Sequence, residues 1–86
     1  MPSISMFYGI IIRMYNTGEH NPPHFHAYYG ESEGIFDLAG ELLEGDLPKR
    51  QQRLVAAWTE IHREELLANW KLACERQPLY KIEPLR

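Results

Sequence analysis

The sequence predicts a small α+β domain, a small antiparallel sheet of three to four strands followed by two C-terminal helices or one long bent helix. Three observations predict it. Before Gly45 the apolar residues recur at alternate positions between clusters of turn residues, and after Pro48 they recur at helical spacing. The third is size: 86 residues, 44% hydrophobic and 24% charged, suit one core of ordinary globular composition. A single domain is therefore expected over 1–86, with the sheet over about 5–45, the helices over about 47–77 and an extended tail over 78–86.

The first strand is expected from Met6 to Tyr15, a run rich in β-branched and aromatic residues. Alternation puts Met6, Tyr8, Ile10, Ile12 and Met14 toward the core, with Phe7, Gly9, Ile11, Arg13 and Tyr15 on the opposite face. Asn16-Thr17-Gly18-Glu19 is a turn cluster, and Pro22-Pro23 keeps Asn21 out of helical geometry, so the connection is a loop. A second strand, His24 to Tyr29, alternates between an apolar set (Phe25, Ala27, Tyr29) and a polar set (His24, His26, Tyr28). After the turn at Tyr29-Gly30-Glu31-Ser32, Gly34 to Leu38 forms a third strand with Phe36 and Leu38 inward and Asp37 outward. Ala39-Gly40 turns the chain into a brief fourth, Glu41 to Glu44.

Asp46 suits a helix cap and Pro48 a first helical turn, while Leu54, Trp58 and Ile61 keep helical phase. The phase then slips: Leu66, Trp70 and Ala73 continue it slightly out of register, and Glu64-Glu65 suit the first turn of a new helix. A break near His62 and Arg63 is expected. Pro78 ends the helical region, and Lys81 to Arg86, with Pro84 inside it, reads as an extended or loosely held tail.

Composition excludes several classes. A net charge of −3 argues against coating nucleic acid by bulk charge. Cys74 is the only cysteine, which excludes an intramolecular disulfide and a cysteine-rich zinc site and fits a reducing cytoplasm. The longest apolar run, Ile10-Ile11-Ile12, is far too short to span a bilayer, and Met1-Pro2-Ser3 does not resemble the start of a signal peptide, so no membrane partner is expected.

The chemistry concentrates at His20-Asn21-Pro22-Pro23-His24-Phe25-His26, which holds three of the four histidines. Imidazole titrates near neutral pH and is the commonest metal ligand, so the stretch admits acid/base work, metal capture or phosphate recognition. On a strand His24 and His26 point the same way and can share a divalent metal. Pro22-Pro23 favours a polyproline segment rising about 3.1 Å per residue, which puts His20 on the order of 12 Å from His24. Glu31, Glu33 or Asp37 is the alternative completing ligand. Pairing the first two strands puts Arg13 and Tyr15 beside His24, His26 and Tyr28, a face suited to phosphate or RNA. Arg13 could hold a phosphate oxygen while His24 or His26 acts as general acid or base on a phosphodiester, the equipment of a small metal-independent endoribonuclease. Taken singly, each histidine has a plainer role in a loop or at a half-exposed strand position, and His62 reads as a helix-end residue. Lys49, Arg50 and Arg53 form a secondary basic patch in the first turns of the helix, whose plain reading is a solvated helix face.

Together, Ile4-Ser5, Gly9-Ile10-Ile11-Ile12-Arg13-Met14-Tyr15, the histidine-proline stretch, Leu43-Glu44-Gly45-Asp46-Leu47-Pro48, Trp58 and His62-Arg63-Glu64-Glu65-Leu66 make the chain resemble the domain of unknown function 4160 family of small bacterial proteins. The resemblance covers nearly the full length and brings no established activity. It implies a gene context like that of toxin–antitoxin pairs, with a second small domain encoded alongside.

The expected function is thus a protein- or RNA-binding component of a toxin–antitoxin-like module, with Arg13, Tyr15, His20, His24, His26 and Tyr28 as its surface and a small protein from an adjacent gene, or RNA, as partner. One alternative is the endoribonuclease, with His24, His26 and Arg13 catalytic. The other is a metal-binding domain using His24 and His26. No cofactor is required by the sequence beyond that optional divalent metal.

Overall fold

The computed structural model describes residues 3–15 and 22–86. Five strands, β1 (Ser3–Phe7), β2 (Ile10–Arg13), β3 (His24–Tyr29), β4 (Ser32–Asp37) and β5 (Leu42–Gly45), precede helices α1 (Lys49–Ile61) and α2 (Arg63–Cys74). The sheet is an antiparallel meander in the order β1-β2-β3-β4-β5. The α+β architecture and the helix break at His62 match the sequence expectation, and the strand count exceeds it by one.

The extra strand comes from the first apolar run, which is a hairpin and not one strand. Tyr8 and Gly9 both have positive φ, 49° and 79°. Positive φ at both central residues is the signature of the two-residue hairpin turn whose twist matches its flanking strands. Past such a turn the alternation is reset. Met6 and Tyr8, expected inward, are 61% and 59% exposed, while Phe7, expected outward, is buried opposite Ile10. Downstream of the turn, Ile10, Ile12 and Met14 are buried as expected and Arg13 and Tyr15 lie on the other face. Tyr8 hid the turn, because a bulky residue seldom adopts positive φ.

Register carries the same division across the sheet. Ile12 stands opposite Ala27, and Phe25 opposite Phe36, on the inner face. On the outer face Arg13 stands opposite His26, Tyr28 opposite Ile11 and Glu33, and His24 opposite Asp37. The β4–β5 connection is built on Asp37, whose Oδ1 accepts the backbone N–H groups of Ala39 and Glu41 at 2.9 Å each. Gly45 closes β5 at a point where a Cβ would lie 2.2 Å from the Glu33 carbonyl oxygen, so only glycine fits.

The helices cover the inner face through Trp58, which is fully buried with its ring 5.3 Å from Phe7 and edge-on to Phe25 at 5.8 Å. Pro48, not Asp46, occupies the cap position of α1, and no side chain caps it. Gln52 on the first turns donates to the Leu47 carbonyl instead. His62 ends α1 by donating its N–H to the Trp58 carbonyl and starts α2 by accepting from Leu66, so one residue serves both helix ends. Its ring nitrogen Nδ1 pairs with Glu65 at 2.5 Å.

After α2 the chain is extended, and of the two expected states, extended or loose, the packing excludes the loose one. Ile82 is buried and its N–H donates to the Ile4 carbonyl of β1 at 2.7 Å. The buried Asn69 amide serves both backbone groups of Tyr80, donating to its carbonyl and accepting from its N–H. The Trp58 indole donates to the Glu83 carbonyl at 2.8 Å. These side chains do for the tail what a neighbouring strand would do. Among the described residues no helix is long and apolar enough to cross a membrane.

Candidate functional site

The inner residues of β2, β3 and β4 are consumed by the core, so any chemistry in these strands falls on the outer face. That face carries five of the residues singled out from the sequence: Arg13, Tyr15, His24, His26 and Tyr28, all half-buried. His20 lies outside the described residues. The five form a contiguous network. The Tyr15 and Tyr28 hydroxyls are 2.5 Å apart, and the Tyr15 ring meets the His26 ring edge-on at 4.7 Å. His26 and Tyr28 stack at 6.3 Å, and the Arg13 guanidinium carbon lies 5.7 Å from the centre of the Tyr28 ring, within cation–π range. His24 and His26, two residues apart on β3, have ring centroids 5.7 Å apart.

Two further residues belong to the network. Glu33 stands opposite Tyr28 on β4 and reaches the diagonal position, where its Oε2 accepts from His26 Nδ1 at 2.9 Å. From the sequence, Glu33 is one of three carboxylates, with Glu31 and Asp37, that could join the histidines. The tight turn at Gly30-Glu31 singles it out, because counting back from that turn puts Glu33 against Tyr28 and beside His26. Trp70 of α2 was expected in the core and is 8% exposed there, yet its ring also lies 5.1 Å from His24. No periodicity in the sequence announces that contact, which joins the end of β3 to the second helix.

The electrostatics follow from these contacts. The Tyr28 phenol is pushed well above its ordinary range, first by burial, then by the hydrogen bond to Tyr15 and by the negative charge of Glu33. It stays neutral and works as a hydrogen-bonding group. The Glu33 carboxyl is held below its ordinary range by the hydrogen bond from His26, with a smaller contribution from Tyr28, against the opposing effect of burial. A charged carboxylate therefore sits beside the imidazole and fixes which ring nitrogen carries its proton.

The remaining expectations divide. Asp37 stands opposite His24, but its Oδ1 is committed to the β4–β5 turn. Among the described residues no group of three or more His, Cys, Asp or Glu side chains could hold a metal ion, so His24 and His26 have no third such ligand there. Lys49, Arg50 and Arg53 are exposed on the first turns of α1, apart from the histidine face. Lys49 and Arg53 line a shallow cleft of about 450 Å³ with Gln52, Gly40 and Glu41, floored by the inner-face residue Phe36.

A protein-family model described as domain of unknown function (DUF4160) matches residues 9–71. The chain belongs to the DUF4160 family. The matched span runs from the Tyr8-Gly9 turn through the histidine face to α2, so Arg13, Tyr15, His24, His26, Tyr28, Glu33 and Trp70 all lie inside the DUF4160 region. Neither the curated proteins nor the solved structures yield a match to the chain.

Proposed function

We propose that this DUF4160 domain is a binding module whose outer sheet face docks a small partner protein. The observation that carries the reading is the aromatic and basic cluster of Arg13, Tyr15, His26 and Tyr28 at the centre of that face, opposite the helices. Such a cluster has the composition of an interface hot spot, rich in Tyr and Arg and flanked by apolar residues, here Ile11 and Ile35. The Tyr15–Tyr28 hydrogen bond and the His26–Glu33 pair hold these side chains in place before any partner arrives, which lowers the ordering cost of binding.

Charge favours a protein over RNA. Arg13 shares its face with Glu33, Asp37 and Glu44, the chain as a whole carries −3, and a phosphate backbone gains its affinity from cations. The Tyr28 ring, already facing Arg13, is also engaged and not presented for stacking on a base. The partner class is a small protein encoded next to this one, in a toxin–antitoxin-like pair, as the family resemblance implies. The single, exposed cysteine suits the reducing cytoplasm as the place where they meet.

Co-expression of the tagged protein with the products of its neighbouring genes tests the proposal. A neighbour should co-purify with the wild type and with Arg53→Ala, and should be lost from Arg13→Ala and Tyr28→Ala. Retention of RNA instead of a neighbour, lost on nuclease treatment, would replace the protein reading with the nucleic-acid one. A wild type that co-purifies with neither refutes both.

A further inference from the structure

The two histidines of β3 are each tied at the same ring atom. His24 Nδ1 lies 2.9 Å from the Pro22 carbonyl oxygen, and His26 Nδ1 lies 2.9 Å from the Glu33 carboxylate. A carbonyl oxygen and a carboxylate only accept, so Nδ1 carries the hydrogen in both rings. In the neutral imidazole the lone pair then stands on Nε2, and neither Nε2 has a hydrogen-bond partner among the described residues. Donation of one ring N–H to a carboxylate or a backbone carbonyl is the arrangement that orients metal-ligating histidines and raises the basicity of the other nitrogen.

The spacing agrees. Alternation on β3 puts both rings on one face, and their centroids are 5.7 Å apart. Two imidazoles bound to one ion at about 2.0–2.1 Å, with tetrahedral to trigonal angles, have centroids roughly 5–6 Å apart. Trp70 beside His24 and Tyr15 edge-on to His26 flank the rings. We propose that His24 and His26 form a two-imidazole site for one divalent transition-metal ion of the zinc, nickel or copper class, bound through the two Nε2 atoms. Imidazole ligation selects this class over magnesium or calcium, which prefer oxygen.

Among the described residues no third His, Cys, Asp or Glu completes the site, so these residues supply two of the four ligands that a closed structural zinc site uses. The inference does not depend on whether the face takes a protein partner, since the isolated chain supplies both ligands.

Calorimetric titration of the untagged, chelator-treated protein with nickel or zinc tests it. The wild type should bind one ion per chain. His24→Ala and His26→Ala should each lose that binding, and His62→Ala should keep it. Glu33→Gln retains both ligands and removes only the carboxylate that orients His26, and should weaken binding 10- to 100-fold. Far-ultraviolet circular dichroism establishes that each variant is folded, and Glu33→Gln keeps the test valid if a histidine variant is not. Wild-type affinity no better than that of the His24→Ala/His26→Ala double variant, or unchanged affinity in Glu33→Gln, would overturn the assignment.

Discussion

His26 and Glu33 are joined across the β3–β4 hairpin by a 2.9 Å bond between Nδ1 and Oε2, although the register sets His26 opposite Ile35 and Glu33 opposite Tyr28. The contact is diagonal, and the residue directly opposite Glu33, Tyr28, bonds Tyr15. One carboxylate thereby organises an imidazole and stands beside a phenol on the same face.

Replacing Glu33 should change how stability responds to acid. Its carboxyl is held low in the folded protein by the His26 hydrogen bond, so its contribution is fully present above the ordinary carboxyl range and is lost as pH falls through the lowered value. In Glu33→Gln that acid-dependent loss is absent. Because the Glu33 side chain is 47% exposed, solvent screening keeps the difference to a few tenths of a kcal/mol, on the order expected for a surface pair. Urea unfolding of metal-free wild type and variant, from neutral pH down to about pH 3, measures it. Parallel curves for the two proteins would contradict the assignment.

Tyr28 gives the opposite sign. Its phenol is raised, so the fold favours the neutral form; that stability is present below the ordinary tyrosine range, near pH 10, and is lost as pH rises through the folded value. In a spectrophotometric titration of tyrosinate absorbance, Tyr28→Phe should remove the latest-ionising step and Tyr15→Phe should bring it to lower pH. A latest step that survives Tyr28→Phe would belong to another tyrosine.

The first hairpin carries a local conflict. Tyr8 holds φ of 49° and is exposed, so it gains little packing for adopting a conformation that side chains disfavour. Tyr8→Asn should stabilise the protein by about 0.5–1 kcal/mol, and Gly9→Ala should destabilise it by about 1 kcal/mol. Thermal or urea unfolding measures both, and equal effects of the two changes would argue against a two-residue turn at this position.

These turns also show how far the sequence could be read. The outer face was legible because alternation is local: Arg13 and Tyr15 follow from Ile12 and Met14, and His24, His26 and Tyr28 follow from Phe25 and Ala27. The break at His62 was legible from the slip in phase between Ile61 and Leu66. The turn at Tyr8-Gly9 was not, since a run of β-branched and aromatic residues on both sides gave a single glycine as its only mark. The Trp70–His24 contact and the binding of the tail depend on how elements far apart in sequence come together, which no local pattern encodes.

The tail offers a test of that last point. Asn69 is buried and satisfies both the carbonyl and the N–H of Tyr80, so Asn69→Ala leaves two backbone groups without their partner. A loss of about 2 kcal/mol is expected. Protease cleavage after Tyr80 or Lys81 should become faster in the same variant, whereas an unaltered cleavage rate would mean the tail is held by other contacts.

Docking of a partner on the outer sheet face, as proposed, would be read from side-chain resonances. Adding the product of the adjacent gene to the isotope-labelled protein should move the ring signals of Tyr15, His24, His26 and Tyr28, while those of His62 and the buried Trp58 stay in place. Shifts confined to the first turns of α1, around Lys49 and Arg53, with the histidine and tyrosine rings unmoved, would contradict it.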